Sequence, residues 1–192
     1  MKTLLVSAAF VAALLAPSAA SAQAIPAAVV AVVDLDRVTS QCNSCKTAQA
    51  ALLSQATAEE NREKALITPL QTEQKSIQTA IDALNGKQPD AALEARAKAF
   101  QTKYEQAQQQ ASRGRAQLKA NADYVRKQIF DKLAPIYQQV MQRRGANVLV
   151  ETGATLATTT SVDVTNDVLA ALNAALPTVS TTAPAPKQPQ GR

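Results

Sequence analysis

Apolar residues recur in alternating steps of four and three along Leu93, Ala97, Phe100, Tyr104, Ala107, Ala111, Gly114 and Leu118. The series continues less strictly through Val125, Ile129, Leu133, Ile136 and Val140. That rhythm predicts one long helix from Ala91 to Arg144 with a narrow seam that needs a partner helix. An earlier stretch, residues 44–84, supplies the partner. Leu70, Ile77 and Leu84 lie seven apart, flanked by Leu66 and Ile81. Between the two, Asn85-Gly86-Lys87-Gln88-Pro89-Asp90 is dense in helix breakers and reads as a turn. So short a connection makes the helices an antiparallel hairpin, in which an arm of about 40 residues is about 60 Å long at 1.5 Å per residue. Small side chains at many seam positions imply close helices around a weak core. Pro69 and Pro135 each remove a backbone hydrogen bond and should bend their arms.

Outside the arms the pattern changes. A Val-rich run at residues 28–35 is typical of a buried strand, and Ala146–Glu151 is a second strand candidate after Gly145. Residues 155–160, TLATTT, read as a third. Thr165 is placed as the N-cap of a short amphipathic helix carrying Val168, Leu169, Leu172 and Leu176, which Pro177 ends. Residues 177–192 hold four prolines and no core-forming run, so no structure is expected there. The hairpin brings the chain back to its start. Residues 23–43 and 144–176 then form one β-rich body of about fifty residues, too few for a secure core of its own. Oligomerisation would remedy that.

The N-terminus sets the compartment. Lys2, the apolar run Leu4–Leu15, Pro17 and Ala20-Ser21-Ala22 predict a bacterial secretory signal peptide, residues 1–22, cut after Ala22. A second small-residue site, Ala22-Gln23-Ala24, fits Pro17 less well, and no cysteine follows for a lipid anchor. The mature chain is placed in the periplasm. There, loss of Lys2 from 20 basic residues leaves 19 against 15 acidic ones. An exported basic chain points away from nucleic acid and towards lipopolysaccharide, anionic lipid, cell wall or acidic polypeptide. The basic excess sits in the second arm, where eleven Lys and Arg face four acidic residues. Arg113, Arg115, Lys119, Arg126 and Lys127 are the candidate client- or anion-binding residues. A solvated face that only keeps the protein soluble is the plainer reading.

Candidate chemistry is sparse. The chain has no His, which excludes hydrolytic triads and His-based metal sites, and its carboxylates are scattered. Only Cys42 and Cys45, in Q-C-N-S-C-K, could react. Asn43 or Ser44 can cap the helix that begins there, and a helix N-terminus lowers a thiol pKa. The strand–helix repeat of a thioredoxin-like enzyme is missing, however, and Lys46 stands where haem attachment needs His. In an oxidising compartment, cysteines three apart at a helix start fit a local disulfide, with an inter-subunit bridge as the second choice. No catalytic, metal or cofactor-binding residue is assigned.

This layout resembles the Skp/OmpH family of periplasmic chaperones over roughly residues 28–176. The resemblance rests on Ala31-Val32-Val33-Asp34-Leu35-Asp36-Arg37-Val38, Ala134-Pro135-Ile136-Tyr137, Gly145-Ala146-Asn147-Val148-Leu149-Val150 and Val162-Asp163-Val164-Thr165. It implies an α+β homotrimer shaped like a jellyfish, with three helical hairpins hanging from a strand-built body. It also implies an ATP-independent holdase, not an enzyme, that carries unfolded outer-membrane proteins across the periplasm. Two rivals are a periplasmic thiol-disulfide oxidoreductase using Cys42 and Cys45, and a structural coiled-coil adaptor. Adaptors need sizeable folded segments on both sides of the hairpin, and here fewer than about 25 mature residues precede it.

Overall fold

The computed structural model describes residues 25–185. The expected signal peptide and its cleavage site at Ala22 lie outside the described residues, as does the tail beyond Ala185. In chain order the elements are strand β1 (Val30–Val33), helix α1 (Leu35–Gln41), helix α2 (Asn43–Asp82), helix α3 (Ala91–Arg144), strand β2 (Val148–Glu151) and helix α4 (Thr165–Ala175). The molecule is mostly helical, with one small two-stranded sheet.

The sheet is parallel, Val30 opposite Val148 through Val33 opposite Glu151. Parallel neighbours need a crossover connection. Here α2 and α3 supply it, carrying the chain out and back. Their contacts fix the sense. Glu73 pairs with Lys103 at 3.1 Å, Glu63 with Arg115 at 3.4 Å, and Gln55 bonds Asn121 at 2.8 Å. Numbers fall along one helix as they rise along the other. Asp90 caps α3 by accepting from Leu93 N–H, and Gly145 ends it at φ 65, a left-handed cap that glycine adopts without penalty. Pro69 and Pro135 both sit on exposed faces inside unbroken helices. Each one's missing N–H therefore leaves a carbonyl one turn back to water rather than to the core.

α1 is a helix that the periodicity does not announce. Asp34 caps it, accepting from Arg37 N–H at 2.7 Å. Cys42 then ends α1 and caps α2, its Sγ accepting from Cys45 N–H at 3.2 Å. Asn43 and Ser44, the expected caps, are instead the first helical residues. They tie α2 to α4: Asn43 N–H donates to Asn173 Oδ1 at 2.8 Å, and Ser44 Oγ donates to the Leu176 carbonyl at 2.7 Å.

Residues 155–160 are not a strand. Thr155 follows a short 3-10 turn, and Leu156 stands wholly in solvent. The free edge of β1 is taken further on, where Val164 N–H donates to the Val32 carbonyl at 2.9 Å and Asp163 bridges Val32. Nor does Thr165 cap α4. It is the first helical residue, and its Oγ1 accepts from Asp34 N–H at 2.9 Å. Its own N–H goes to Asp163 Oδ1 at 2.8 Å. These bonds give a physical reason for the V-D-V-T and V-V-D-L stretches: each satisfies the other's backbone.

The buried core lies at the root of the arms. Ala31, Val33, Val38, Cys42, Val164, Val168, Leu172 and Leu176 pack with Cys45 and Ala48 of α2 and Val125, Ile129, Leu133, Ile136 and Val140 of α3. The expectation of a separate fifty-residue body therefore undercounts this core, because the arm bases complete it within one chain. Farther out, burial thins to Leu70, Ile77, Ala107 and Ala111. Tyr104, expected in the seam, is exposed.

Candidate functional site

Two features stand as candidates: the cysteine pair and the basic side of α3. Cys42 and Cys45 are joined in a disulfide with α-carbons 5.1 Å apart. Neither is accessible, at 0% and 5% exposure. The bridge is packed among the α1–α2 corner, α4 and the base of α3. A sulfur that exchanges with substrate thiols must be open to in-line attack. This pair is walled in.

The five basic residues are all exposed, spread over the middle of α3 on both sides of its midpoint. At about 100° per residue, Arg115, Lys119 and Arg126 share one side, whereas Arg113 and Lys127 fall on another. They do not converge into a single pocket. Four have local partners. Arg115 meets Glu63 at 3.4 Å, Lys119 and Arg126 meet Asp123 at 2.5 and 3.9 Å, and Lys127 meets Asp131 at 2.7 Å. The Lys119 hydrogen bond, helped by its charge, holds the Asp123 carboxyl below the usual carboxylate range. Among the described residues Arg113 has no ion-pair partner. Exposed pairs like these contribute little to stability, and the excess of cations along α3 persists around them. The surface is a diffuse positive field, suited to attraction at a distance and not to fixing one ligand's geometry.

Two further features escape a reading of the sequence. Leu53, Ile81, Tyr104 and Phe130 are exposed apolar side chains spread along both arms. Singly each is unremarkable; along basic arms they offer apolar footholds for an unfolded chain. The second is Asn121. The seam steps from Leu118 to Val125, and Asn121 occupies the skipped position, only 7% exposed. Its Nδ2 donates to Gln55 Oε1 across the hairpin. Next to it, the Glu59 carboxylate fills the notch that Gly114 leaves, so that a Cβ there would overlap it. Glu59 Oε1 has no hydrogen-bond partner among the described residues.

Among the described residues no group of three or more His, Cys, Asp or Glu could hold a metal ion. No described helix is long and apolar enough to cross a membrane.

Long paired helices with a small parallel sheet at their root define a long-armed, mostly helical fold. Its family is shown by the family model for Outer membrane protein (OmpH-like), which matches residues 29–172; the chain belongs to that family. Among solved structures, the fold is similar to that of a proposed outer membrane chaperone (OmpH-like) from Caulobacter crescentus CB15. The TM-score is 0.68 at 22% identity, over 86% of this chain and 96% of that one. No curated protein matches the chain significantly.

Proposed function

We propose that this protein is an ATP-independent periplasmic holdase that binds unfolded outer-membrane proteins and keeps them from aggregating in transit. Residues 1–22 would be removed on export. The chain divides by role into an assembly body, 23–43 with 144–176, and a client-holding arm, 44–143. The observation that carries the reading is the outer arm of this OmpH-like fold: a long helix pair with almost no core, a cationic surface and scattered exposed apolar residues. Charge draws an unfolded chain in, apolar footholds hold it, and a thin seam lets the arms splay around it. Nothing in that sequence of events requires a nucleotide or a cofactor.

We further propose that three chains assemble through the root. Fully exposed Leu156 and exposed Val29, Val30 and Val148 cluster in sequence around the sheet, and the outer edge of β2 has no partner within the described residues. Burying them against neighbours would remove the exposed edge. The buried disulfide weighs against the oxidoreductase reading. Lipopolysaccharide or anionic lipid are secondary candidates for the same positive field. The test is suppression of aggregation of an unfolded outer-membrane barrel diluted from denaturant without nucleotide. The parent should suppress it at near-stoichiometric ratio, and less so as salt screens the arm charges. A protein that leaves the barrel's aggregation unchanged sinks the proposal.

A further inference from the structure

The tail after α4 is held in a particular way. Val179, Thr181 and Ala183 are half-buried while Thr178, Ser180 and Thr182 are exposed, the two-residue alternation of extended backbone. Its main chain is met by amide side chains from both arms. Gln128 pairs with Ser180 twice: Nε2 donates to the carbonyl at 2.8 Å, and Oε1 accepts from the N–H at 3.0 Å. Ala183 N–H donates to Asn121 Oδ1 at 2.9 Å. Gln55 Nε2 donates to the Thr181 carbonyl at 3.1 Å. A peptide N–H can only donate, so Asn121 presents oxygen to it and nitrogen to Gln55, whose own nitrogen then faces the carbonyl. The polarity of the whole relay follows from the bound main chain.

This is the pattern by which a sheet edge holds a strand, built from side-chain amides on two helices. None of the four bonds reads a tail side chain. Among the described tail residues only Val179 packs against the core. The amides also sit where a helix pair would ordinarily place apolar or solvated residues, and besides Ser180 half-buried Gln128 meets, among the described residues, only the Tyr124 carbonyl of its own helix, at 3.1 Å. Thr182 also lines a cleft of 390 Å³ with Gln55, Asn121, Gln117 and Leu118.

We propose that Gln55, Asn121 and Gln128 form a binding site for extended polypeptide main chain, largely independent of sequence, and that the protein's own tail is its resident occupant. The intended occupant is a segment of an unfolded client, which displaces the tail by taking the same four hydrogen bonds. That identification rests on the chaperone reading; the existence of the site does not.

The test uses a labelled peptide of residues 177–185 and a chain ending at Pro177, followed by fluorescence anisotropy. The shortened chain should bind the peptide at least about tenfold more tightly than the full-length chain, whose site is covered. Reordering the Ser and Thr residues while keeping Val179 in place should change affinity by less than about threefold. N-methylation at the Ser180 and Ala183 nitrogens should each weaken it by about tenfold, one hydrogen bond's worth, as should Asn121→Ala, and Gln128→Ala, which removes two bonds, should weaken it by more. If shortening damages the fold, Ala183→Pro in the full-length chain frees one anchor without it and should partly uncover the site. No peptide binding by either variant, or equal binding of the N-methylated peptide, overturns the proposal. An unfolded barrel should compete with the peptide; a barrel that suffers less aggregation in the protein's presence yet never competes overturns the client assignment. If the peptide binds as expected but the protein never restrains barrel aggregation, the site stands and the holdase reading falls.

Discussion

The root and the outer arm are made from the same two helices and differ in almost everything else. At the root, α2 and α3 pack against β1, α1 and α4, and Leu133, Val140, Val38, Val168 and Leu172 are fully buried. Halfway along, the same helices have only each other, and small residues such as Ala107 and Ala111 close the seam. A helix pair excludes water along one narrow stripe, whereas a multi-element junction encloses a volume. Stability therefore concentrates at one end and compliance at the other.

The largest effect should come from truncating the root. Leu133→Ala should cost about 3 kcal/mol, in the range for a fully buried leucine, and Leu70→Ala in the outer arm about 1 kcal/mol because the thin seam can collapse around the gap. Urea unfolding of both variants checks this; equal losses would break the distinction. Opening the disulfide comes next. Closing so small a ring contributes at most about 2 kcal/mol by chain entropy, less any strain. Cys42→Ser together with Cys45→Ser should lose less than that, since Ser at position 42 can take over the cap of α2. Non-reducing gels of the parent should show monomer-sized chains, and a covalent dimer or trimer would mean bridging between subunits.

Charge tests the other region. Neutralising Arg113, Arg115, Lys119, Arg126 and Lys127 together should weaken holdase activity at low salt and barely move the melting temperature, because the pairs are exposed. Unchanged activity would reduce the basic arm to a solubility device. Smaller again is the effect of the Tyr137 hydroxyl at the root, which has no hydrogen-bond partner within the described residues; burial, with the nearby Glu151 charge, pushes its pKa up. Tyr137→Phe should leave stability unchanged or raise it by a few tenths of a kcal/mol. A clear loss would mean that a neighbouring subunit satisfies that hydroxyl.

The smallest effect concerns pH. The Thr165 side-chain and backbone hydrogen bonds, with Arg37 nearby, lower the Asp163 pKa from 3.8. A depressed carboxylate pKa stabilises the fold above the unfolded value and stops doing so as pH falls through the folded one. Parent stability should thus drop below about pH 4, and Asp163→Asn should shallow that drop in acid-unfolding curves.

What could be read from the sequence follows the same division. The four-three seam of α3 and the breaker cluster before it are local patterns repeated often enough to be legible, and so are the strand runs. Elements held by single long-range bonds are not. α1 is too short for periodicity, and only the Asp34 cap with Asp36 in the first turn hints at it. TLATTT has strand-forming residues, but Asp163 and Val164 take the free edge of β1, and residues 155–160 stand away from the sheet with Leu156 wholly in solvent. The tail looks structureless because its anchors belong to Gln55, Asn121 and Gln128, far away in sequence. Its one foreshadowing is the polar residue at the seam position between Leu118 and Val125.

Native mass spectrometry of the mature protein, alone and mixed with an unfolded outer-membrane barrel, addresses both regions at once. The account predicts a trimer held by the root that takes up one barrel between its arms without nucleotide. A protein that remains monomeric at micromolar concentration, or a trimer that never gains the mass of a barrel, would contradict it.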